Sequence, residues 1–500
     1  MSNRDKVIKD IAHFSGGTAI ATVILMLREF VIAKFLSPTF YGIWHLVKMA
    51  IDYGRFMSLG MGWSMQKEIP YYYGKGNREK CEEIKNVAIS SILVISAFLC
   101  ILLVFIGIIF VSGTNNDISP AHIVLIICLI FMQQINNYLL MLLSAYQEFL
   151  LKSKTMVLQA ALSVICIFLL IKHFKVYGVI FALFISYYIT SVVIIFKMKY
   201  RFRFLINLKE SFAMIKEGLA ILANGFLLNV METVDRILVV FMLNNTQLGY
   251  YGIAYALGRS VGLIPIAIGE SLFPSMTEKY GAKENIKDIK SYVVKPQLVF
   301  AYFSPFVIGV VYFIVDFIIL YFLPQYAAGR GAIKIMLICS FFSIINCGLV
   351  YFFFAIGSFS RVIYLRLISI FLEVVFVFVL LKYNTGINGA ALGRSIGFMF
   401  FSIAMICFAY AYYENKARKI ALFLTEILAP FLYTTCVILI LDHLIKLTKD
   451  IYINIGIVLI KVILLSMACL PLWLYLNKRL NLWEEIKHLL EKNAYESGLN

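Results

Sequence analysis

Residues 86–111 read NVAISSILVISAFLCILLVFIGIIFV, and no position in this stretch carries a charged side chain. As an α-helix the stretch would rise about 39 Å at 1.5 Å per residue, which exceeds a bilayer hydrocarbon core of about 30 Å. It lacks the period-two alternation of a barrel strand. Since backbone amides find no water inside lipid, the stretch predicts a membrane-spanning helix.

Comparable apolar runs recur along the whole chain. Apolar residues make up 61% of the 500 positions and the mean hydropathy is +0.87, whereas soluble domains are about 45–50% apolar. A water-soluble fold is therefore excluded, and we predict an all-α polytopic membrane protein with about fourteen transmembrane helices. The predicted spans are 13–36, 42–65, 86–111, 121–145, 155–171, 176–196, 216–243, 250–276, 297–322, 332–356, 362–381, 387–412, 420–441 and 452–476.

Basic residues in the connections predict the orientation, because loops rich in Lys and Arg stay in the cytoplasm. With the N-terminus in the cytoplasm, 29 Lys and Arg residues lie in connections on the cytoplasmic side and six on the opposite side. Both termini are then cytoplasmic, as an even number of spans requires. The formal charge of +17 is largely explained by this asymmetry, so it does not indicate nucleic-acid binding.

Two parts of the chain share landmarks in the same order. Arg28-Glu29 in the first span corresponds to Asp235-Arg236 in the seventh, and Tyr41-Gly42-Ile43 at the start of the second corresponds to Tyr251-Gly252-Ile253 in the eighth. Six helices per repeat is an even number, so we predict two parallel repeats related by an axis along the membrane normal. The predicted divisions are an N-terminal lobe at 1–200, a C-terminal lobe at 201–415, two extra helices at 416–477 and a cytoplasmic amphipathic tail at 478–500.

The segment 235–276, DRILVVFMLNNTQLGYYGIAYALGRSVGLIPIAIGESLFPSM, resembles the polysaccharide flippases of the multidrug/oligosaccharidyl-lipid/polysaccharide exporter superfamily. Residues 35–42, FLSPTFYG, are similar to the same pattern in the first half, and the helix order extends the resemblance over nearly the whole chain. The resemblance implies a flippase in a bacterial or archaeal inner membrane. It would move a polyprenyl (di)phosphate-linked oligosaccharide to the outer leaflet by alternating access, through a cationic cavity between the lobes, for surface polysaccharide biosynthesis. The implied partners are the lipid-linked saccharide, membrane lipids, a polysaccharide polymerase and glycosyltransferases.

Ten Lys or Arg residues lie inside the predicted spans. Insertion scales put a charge at the bilayer centre at about 2.5–3.5 kcal/mol, so most of these side chains must face protein or water. Lys34, Lys334 and Arg366 lie near span ends and are expected to snorkel to the interface. The others are candidates for an internal site.

Lys48, Asp52 and Arg55 recur at i, i+4 and i+7, which places them on one face of the second helix. The stripe fits a solvated cavity that attracts anions. It also fits an ion-pair network that locks helices together, with Asp52 neutralising Lys48 and Arg55. The acids predicted to balance charge or to couple an ion are Glu29, Asp52, Asp235 and Glu270.

Two later helices contain nearly the same six-residue sequence, LGRSVG at 257–262 and LGRSIG at 392–397. The glycines fit tight helix contacts, and the arginines fit phosphate, because a guanidinium forms bidentate charge-assisted bonds. The resemblance implies that Arg28, Arg55 and Arg259 bind the phosphate-bearing headgroup of the cargo. Lys48, Arg236 and Arg394 are further candidates.

Enzymatic functions are not indicated. The sequence has no Walker A loop, dinucleotide fingerprint, zinc signature or nucleophile elbow, and its six His residues are scattered. We expect no cofactor and no metal site. A peptidoglycan-precursor flippase, which differs only in cargo, and a drug or metabolite antiporter of the same superfamily, which typically has twelve helices, remain alternatives.

Overall fold

The computed structural model describes residues 3–112, 120–198, 201–283, 285–448 and 450–481. Within these ranges the chain is helical and has no strand. The α-helices are α1 Asn3–Phe35, α2 Pro38–Gly54, α3 Met61–Gly74, α4 Arg78–Ser112, α5 Pro120–Ala145, α6 Phe149–Lys197, α7 Leu208–Met242, α8 Asn245–Val261, α9 Leu263–Lys283, α10 Lys290–Tyr321, α11 Arg330–Ile345, α12 Cys347–Ala355, α13 Phe359–Lys382, α14 Gly386–Ala411, α15 Ala417–Leu444 and α16 Ile451–Leu480. Short 3-10 helices cover Arg55–Ser58, Ile286–Ile289 and Pro324–Gly329.

The chain divides into two compact units, residues 1–233 and 234–500, and the division falls within α7. In unit 1, α1 packs against α6, and α5 packs against both α4 and α6. In unit 2, α13 packs against α14, and α10 packs against α11, α15 and α16. The predicted lobe limits at 200 and 415 remain predictions, and the predicted amphipathic tail lies outside the described residues beyond 481.

Every predicted span coincides with helix, which confirms the polytopic all-α fold. Ten described helical segments are long and apolar enough to cross a membrane, and one of these, α6, contains two predicted spans. Outside that set are the second, seventh and eighth spans, formed by α2 with α3, by α7, and by α8 with α9. These three spans contain most of the charged residues that the sequence proposes for the site.

The fifth and sixth predicted spans join in α6 without a loop. The helical course is interrupted at Lys175, whose φ of 49° and ψ of −123° turn the chain between the two spans. A positive φ of this kind is sterically unfavourable for an L-residue. Gly178 follows within one turn, and a Cβ there would lie 2.6 Å from the carbonyl oxygen of Leu170, so the turn brings the two spans into close backbone contact.

The second span of each unit is a broken helix, which the sequence does not predict. Both α2 and α8 contain 17 residues, or about 26 Å of rise, which is short of a full hydrocarbon core. The chain continues into α3 after a break at 55–60 and into α9 after Gly262. The first break contains Leu59 and Gly60, both with positive φ. The two repeats that share sequence landmarks therefore also share an interrupted second span.

The connection between α6 and α7 includes residues 201–207, which have no regular secondary structure and are hydrogen-bonded to α4. Lys85, fully buried, donates a hydrogen bond to the carbonyl oxygen of Arg201 at 2.6 Å. The amides of Arg203 and Leu205 donate to the Asn86 amide oxygen at 3.0 Å and to the Ser90 hydroxyl at 2.8 Å. Side chains of one helix thus supply the bonds that a sheet would otherwise supply.

Candidate functional site

Glu29 lies between two basic side chains in unit 1. Its carboxylate is 3.1 Å from the guanidinium of Arg28 on α1 and 2.9 Å from the ammonium of Lys48 on α2. All three side chains are largely buried. Because breaking such a pair leaves an uncompensated charge in a low-dielectric environment, Glu29 makes two membrane-embedded cations tolerable and fixes α2 against α1. Lys48 pairs with Glu29 here.

Arg55 and Asp52 form a separate pair at the break in the second span. Their side chains are 2.9 Å apart, and the Arg55 side chain is 51% exposed. The i, i+7 register with Lys48 does not extend to Arg55, since the α-helix ends at Gly54 and Arg55 begins a 3-10 turn. Gln134 on α5 donates to the Gly54 carbonyl oxygen, at the point where the α-helix gives way to the 3-10 turn.

The N-terminal part of α7 packs along this break within unit 1. The Tyr53 and Thr233 hydroxyls lie 2.7 Å apart, and the ring of Phe226 meets the rings of Tyr53 and Phe56 edge to face. These contacts fix the broken segment that carries Arg55, and therefore place an exposed guanidinium at a defined position in the second span.

The same helix meets α3 more closely further towards its N-terminus. Cβ atoms added at Gly60 and Gly218 would each lie within 3 Å of the other residue's backbone. Beside this contact, the Ser64 hydroxyl oxygen lies 2.9 Å from a carboxylate oxygen of Glu68 and 3.0 Å from one of Glu217. Two glycines therefore allow α3 and α7 to touch, and a carboxyl pair lies next to the contact.

In unit 2, Asp235 on α7 is fully buried and accepts three hydrogen bonds. The donors are the Tyr251 hydroxyl at 2.7 Å, the Arg394 guanidinium at 3.0 Å and the Arg236 backbone amide at 2.7 Å. A second fully buried carboxylate, Glu373 on α13, lies 3.8 Å from the same Arg394 guanidinium. Arg394 is therefore committed to two buried acids, which is a structural role in addition to any role in binding.

Arg259 is placed differently from Arg394 despite the matching sequence around them. It is exposed, and its guanidinium donates to the hydroxyl of Tyr255 at 2.6 Å. The ring of Tyr255 also faces Arg236, whose guanidinium carbon lies 3.9 Å from the ring centroid and whose side chain is 1% exposed. Unit 2 therefore brings Arg236, Arg259 and Arg394 together around one tyrosine.

Tyr251, Tyr255 and Glu373 belong to this cluster and are not among the predicted site residues. Tyr251, Tyr255 and Arg259 recur at i, i+4 and i+8, a helical-face signal that was available in the sequence. Glu373 could not have been assigned from spacing, because it comes from a distant helix. Glu270 lies in α9, and its side chain is outside the described part of the structure.

The expectation of snorkelling is wrong for two of the three basic residues near span ends. Lys334 lies 2.7 Å from both Asp316 and Asp442, and Arg366 is 3% exposed, whereas Lys34 is exposed. Lys461 joins the same network at 3.1 Å from Asp442. Inward acids on α10 and α15 thus provide partners that proximity to a span end does not reveal.

Comparison with known proteins identifies both a family and a fold. The family described as polysaccharide biosynthesis protein matches residues 7–280. A structure of the lipid II flippase MurJ in an inward closed conformation is 16% identical, has a TM-score of 0.66 and covers 91% of this chain and 97% of its own. An inward-facing multidrug resistance MATE transporter of the MOP superfamily is 14% identical, with a TM-score of 0.65 and coverage of 80% and 95%. The Vibrio cholerae MATE transporter VcmN in its bent form is 15% identical, with a TM-score of 0.56 and coverage of 85% and 100%. No curated protein matches the sequence.

Proposed function

This chain belongs to the polysaccharide biosynthesis protein family, and from that premise we propose that it is a flippase for a polyprenyl (di)phosphate-linked oligosaccharide. It moves the lipid-linked sugar from the cytoplasmic to the outer leaflet by alternating access, for surface polysaccharide biosynthesis. It lies in a bacterial or archaeal cell membrane with both termini in the cytoplasm. Its partners are the enzymes that make and polymerise the saccharide.

The observation that carries the proposal is the placement of basic side chains inside the predicted membrane spans. In unit 1 the described contacts join Arg28, Lys48 and Arg55 to two acids. In unit 2 they join Arg394 to two acids and place all three of Arg236, Arg259 and Arg394 beside Tyr255. In each unit the guanidinium that is exposed, Arg55 or Arg259, lies at or near the interruption of the second span. A phosphate or diphosphate is the chemical group best matched to such guanidinium groups.

The decisive experiment compares Arg259→Ala with Arg479→Ala in a strain that lacks its own flippase. Arg479 is also exposed and pairs with Glu426 at 3.3 Å near the end of α16, so it serves as a matched control. Loss of one charge-assisted bond to phosphate, about 1.5–3 kcal/mol, weakens headgroup binding by about ten- to a hundredfold.

We expect Arg259→Ala to abolish most surface polysaccharide on immunoblots at normal membrane protein level, and Arg479→Ala to leave it unchanged. Normal polysaccharide in Arg259→Ala and in the corresponding Arg28→Ala and Arg55→Ala variants would contradict the assignment of the site.

A peptidoglycan-precursor flippase is the second candidate, because its cargo carries the same diphosphate and the MurJ fold covers 91% of this chain. Transport assays with both lipid-linked cargoes in proteoliposomes separate the two. A drug antiporter is less well supported, since the MATE structures cover 80% and 85% of the chain and the described clusters are rich in arginine.

A further inference from the structure

Tyr255 is the common neighbour of the three arginines in unit 2. The guanidinium carbons of Arg236, Arg394 and Arg259 lie 3.9, 5.2 and 5.9 Å from the centroid of its ring. Tyr255 itself is only 4% exposed. Like charges repel, and the negative faces of an aromatic ring offset that repulsion, so this side chain allows three cations to remain in one cluster.

The two ends of Tyr255 contact arginines of different character. The ring lies against Arg236, which is buried, where a cation–π contact is strongest because the cation is desolvated. The hydroxyl accepts from Arg259, which is exposed. Removing the hydroxyl alone therefore alters the exposed arginine and leaves the contact with the buried one.

We propose that Tyr255 is a positioning residue that tunes headgroup affinity: its hydroxyl competes with a phosphate oxygen of the cargo for the Arg259 guanidinium. The proposal rests on the proposed function. A phosphate oxygen displaces the phenol because a bond between two ions is roughly twice as strong as one to a neutral acceptor. When the cargo leaves, the Tyr255 hydroxyl again accepts the hydrogen bond from Arg259. This competition lowers the affinity for the headgroup and assists its release.

Two substitutions separate the two ends of the side chain. Tyr255→Phe keeps the ring and removes the competing acceptor, so the affinity for the headgroup rises about three- to tenfold and the maximal flipping rate falls. Tyr255→Leu removes the ring as well, so Arg236 loses its cation–π partner and thermal stability falls. Tyr250→Phe, on the same helix, is the matched control, because the described contact of Tyr250 is an edge-to-face approach to the Tyr326 ring.

The test uses the full-length protein in detergent and in proteoliposomes, with polyprenyl diphosphate as the probe. Binding is measured by native mass spectrometry, flipping by a leaflet-accessibility assay, and stability by thermal unfolding. The expected result is tighter binding with slower turnover in Tyr255→Phe at an unchanged melting temperature, with Tyr250→Phe equal to wild type. Unchanged affinity and rate in Tyr255→Phe, while wild type binds the probe and Arg259→Ala does not, would overturn the role of Tyr255 alone. Failure of wild type to bind the probe would overturn both this role and the proposed function.

Discussion

The contact between Gly60 and Gly218 predicts a specific loss of stability in Gly218→Ala. The added Cβ would lie 2.2 Å from the carbonyl oxygen of Gly60 and 2.6 Å from its carbonyl carbon, and backbone atoms cannot rotate away. Overpacking of this kind costs about 1–3 kcal/mol. Replacing a helical glycine by alanine also stabilises the helix by about 0.5–1 kcal/mol, so the net loss is at most about 2.5 kcal/mol.

Gly225→Ala supplies the control for this prediction. Gly225 lies two turns further along α7, and its added Cβ would meet only a Phe56 ring carbon at 3.6 Å, an ordinary contact. Since the helix-propensity gain applies to both variants, the difference between them reports the clash. Thermal unfolding is followed with a thiol-reactive dye, for which buried Cys81 and Cys100 report on unit 1. A melting temperature of Gly218→Ala equal to or above that of Gly225→Ala would refute the close approach of α3 to α7.

Further predictions concern pH and buried charge. Burial, followed by the contact with Glu217, raises the pKa of Glu68 to about 7; the protonated pair therefore stabilises the fold at low pH, and that contribution is lost as the pH rises through about 7. Melting temperature should fall between about pH 4.5 and pH 7 in wild type, and this step should be absent in Glu68→Gln. Asp442→Asn leaves the ammonium of Lys461, 3% exposed, without its charged partner at 3.1 Å and should cost about 3 kcal/mol, which Asp442→Asn combined with Lys461→Met should largely restore in thermal unfolding. Arg394→Ala should reduce membrane protein level on immunoblots, because two buried carboxylates lose their cation; a normal level would argue against that pairing.

The sequence predicts the spans well because hydropathy is a property of the segment itself. It does not predict the interruptions. The span at 42–65 is predicted as one continuous helix, yet its α-helix ends at Gly54, whose carbonyl oxygen accepts a hydrogen bond from Gln134 on α5. A break is tolerated in a membrane only where another part of the protein satisfies the backbone, and that partner is a tertiary contact.

The sequence likewise identifies the charged residues of the site, but it does not identify the residues with which they pair. The hypothesis that Asp52 neutralises Lys48 follows from helical spacing, but the structure pairs Lys48 with Glu29 across two helices. Arg259 and Arg394 have nearly the same local sequence, which suggests equivalent roles. They differ because buried Asp235 and Glu373 lie beside Arg394, and neighbours on other helices leave no trace in a local motif.

The connection at 201–207 has a practical consequence for epitope tagging. Loops are the usual choice for inserted tags, but the backbone of this one is held in register by Lys85, Asn86 and Ser90, and an insertion would shift every bond after it. The exposed turn at Gly76 has open space around it. A tag at Gly76 would report which side of the membrane the turn between α3 and α4 occupies. It would leave the hydrogen bonds between residues 201–207 and α4 intact.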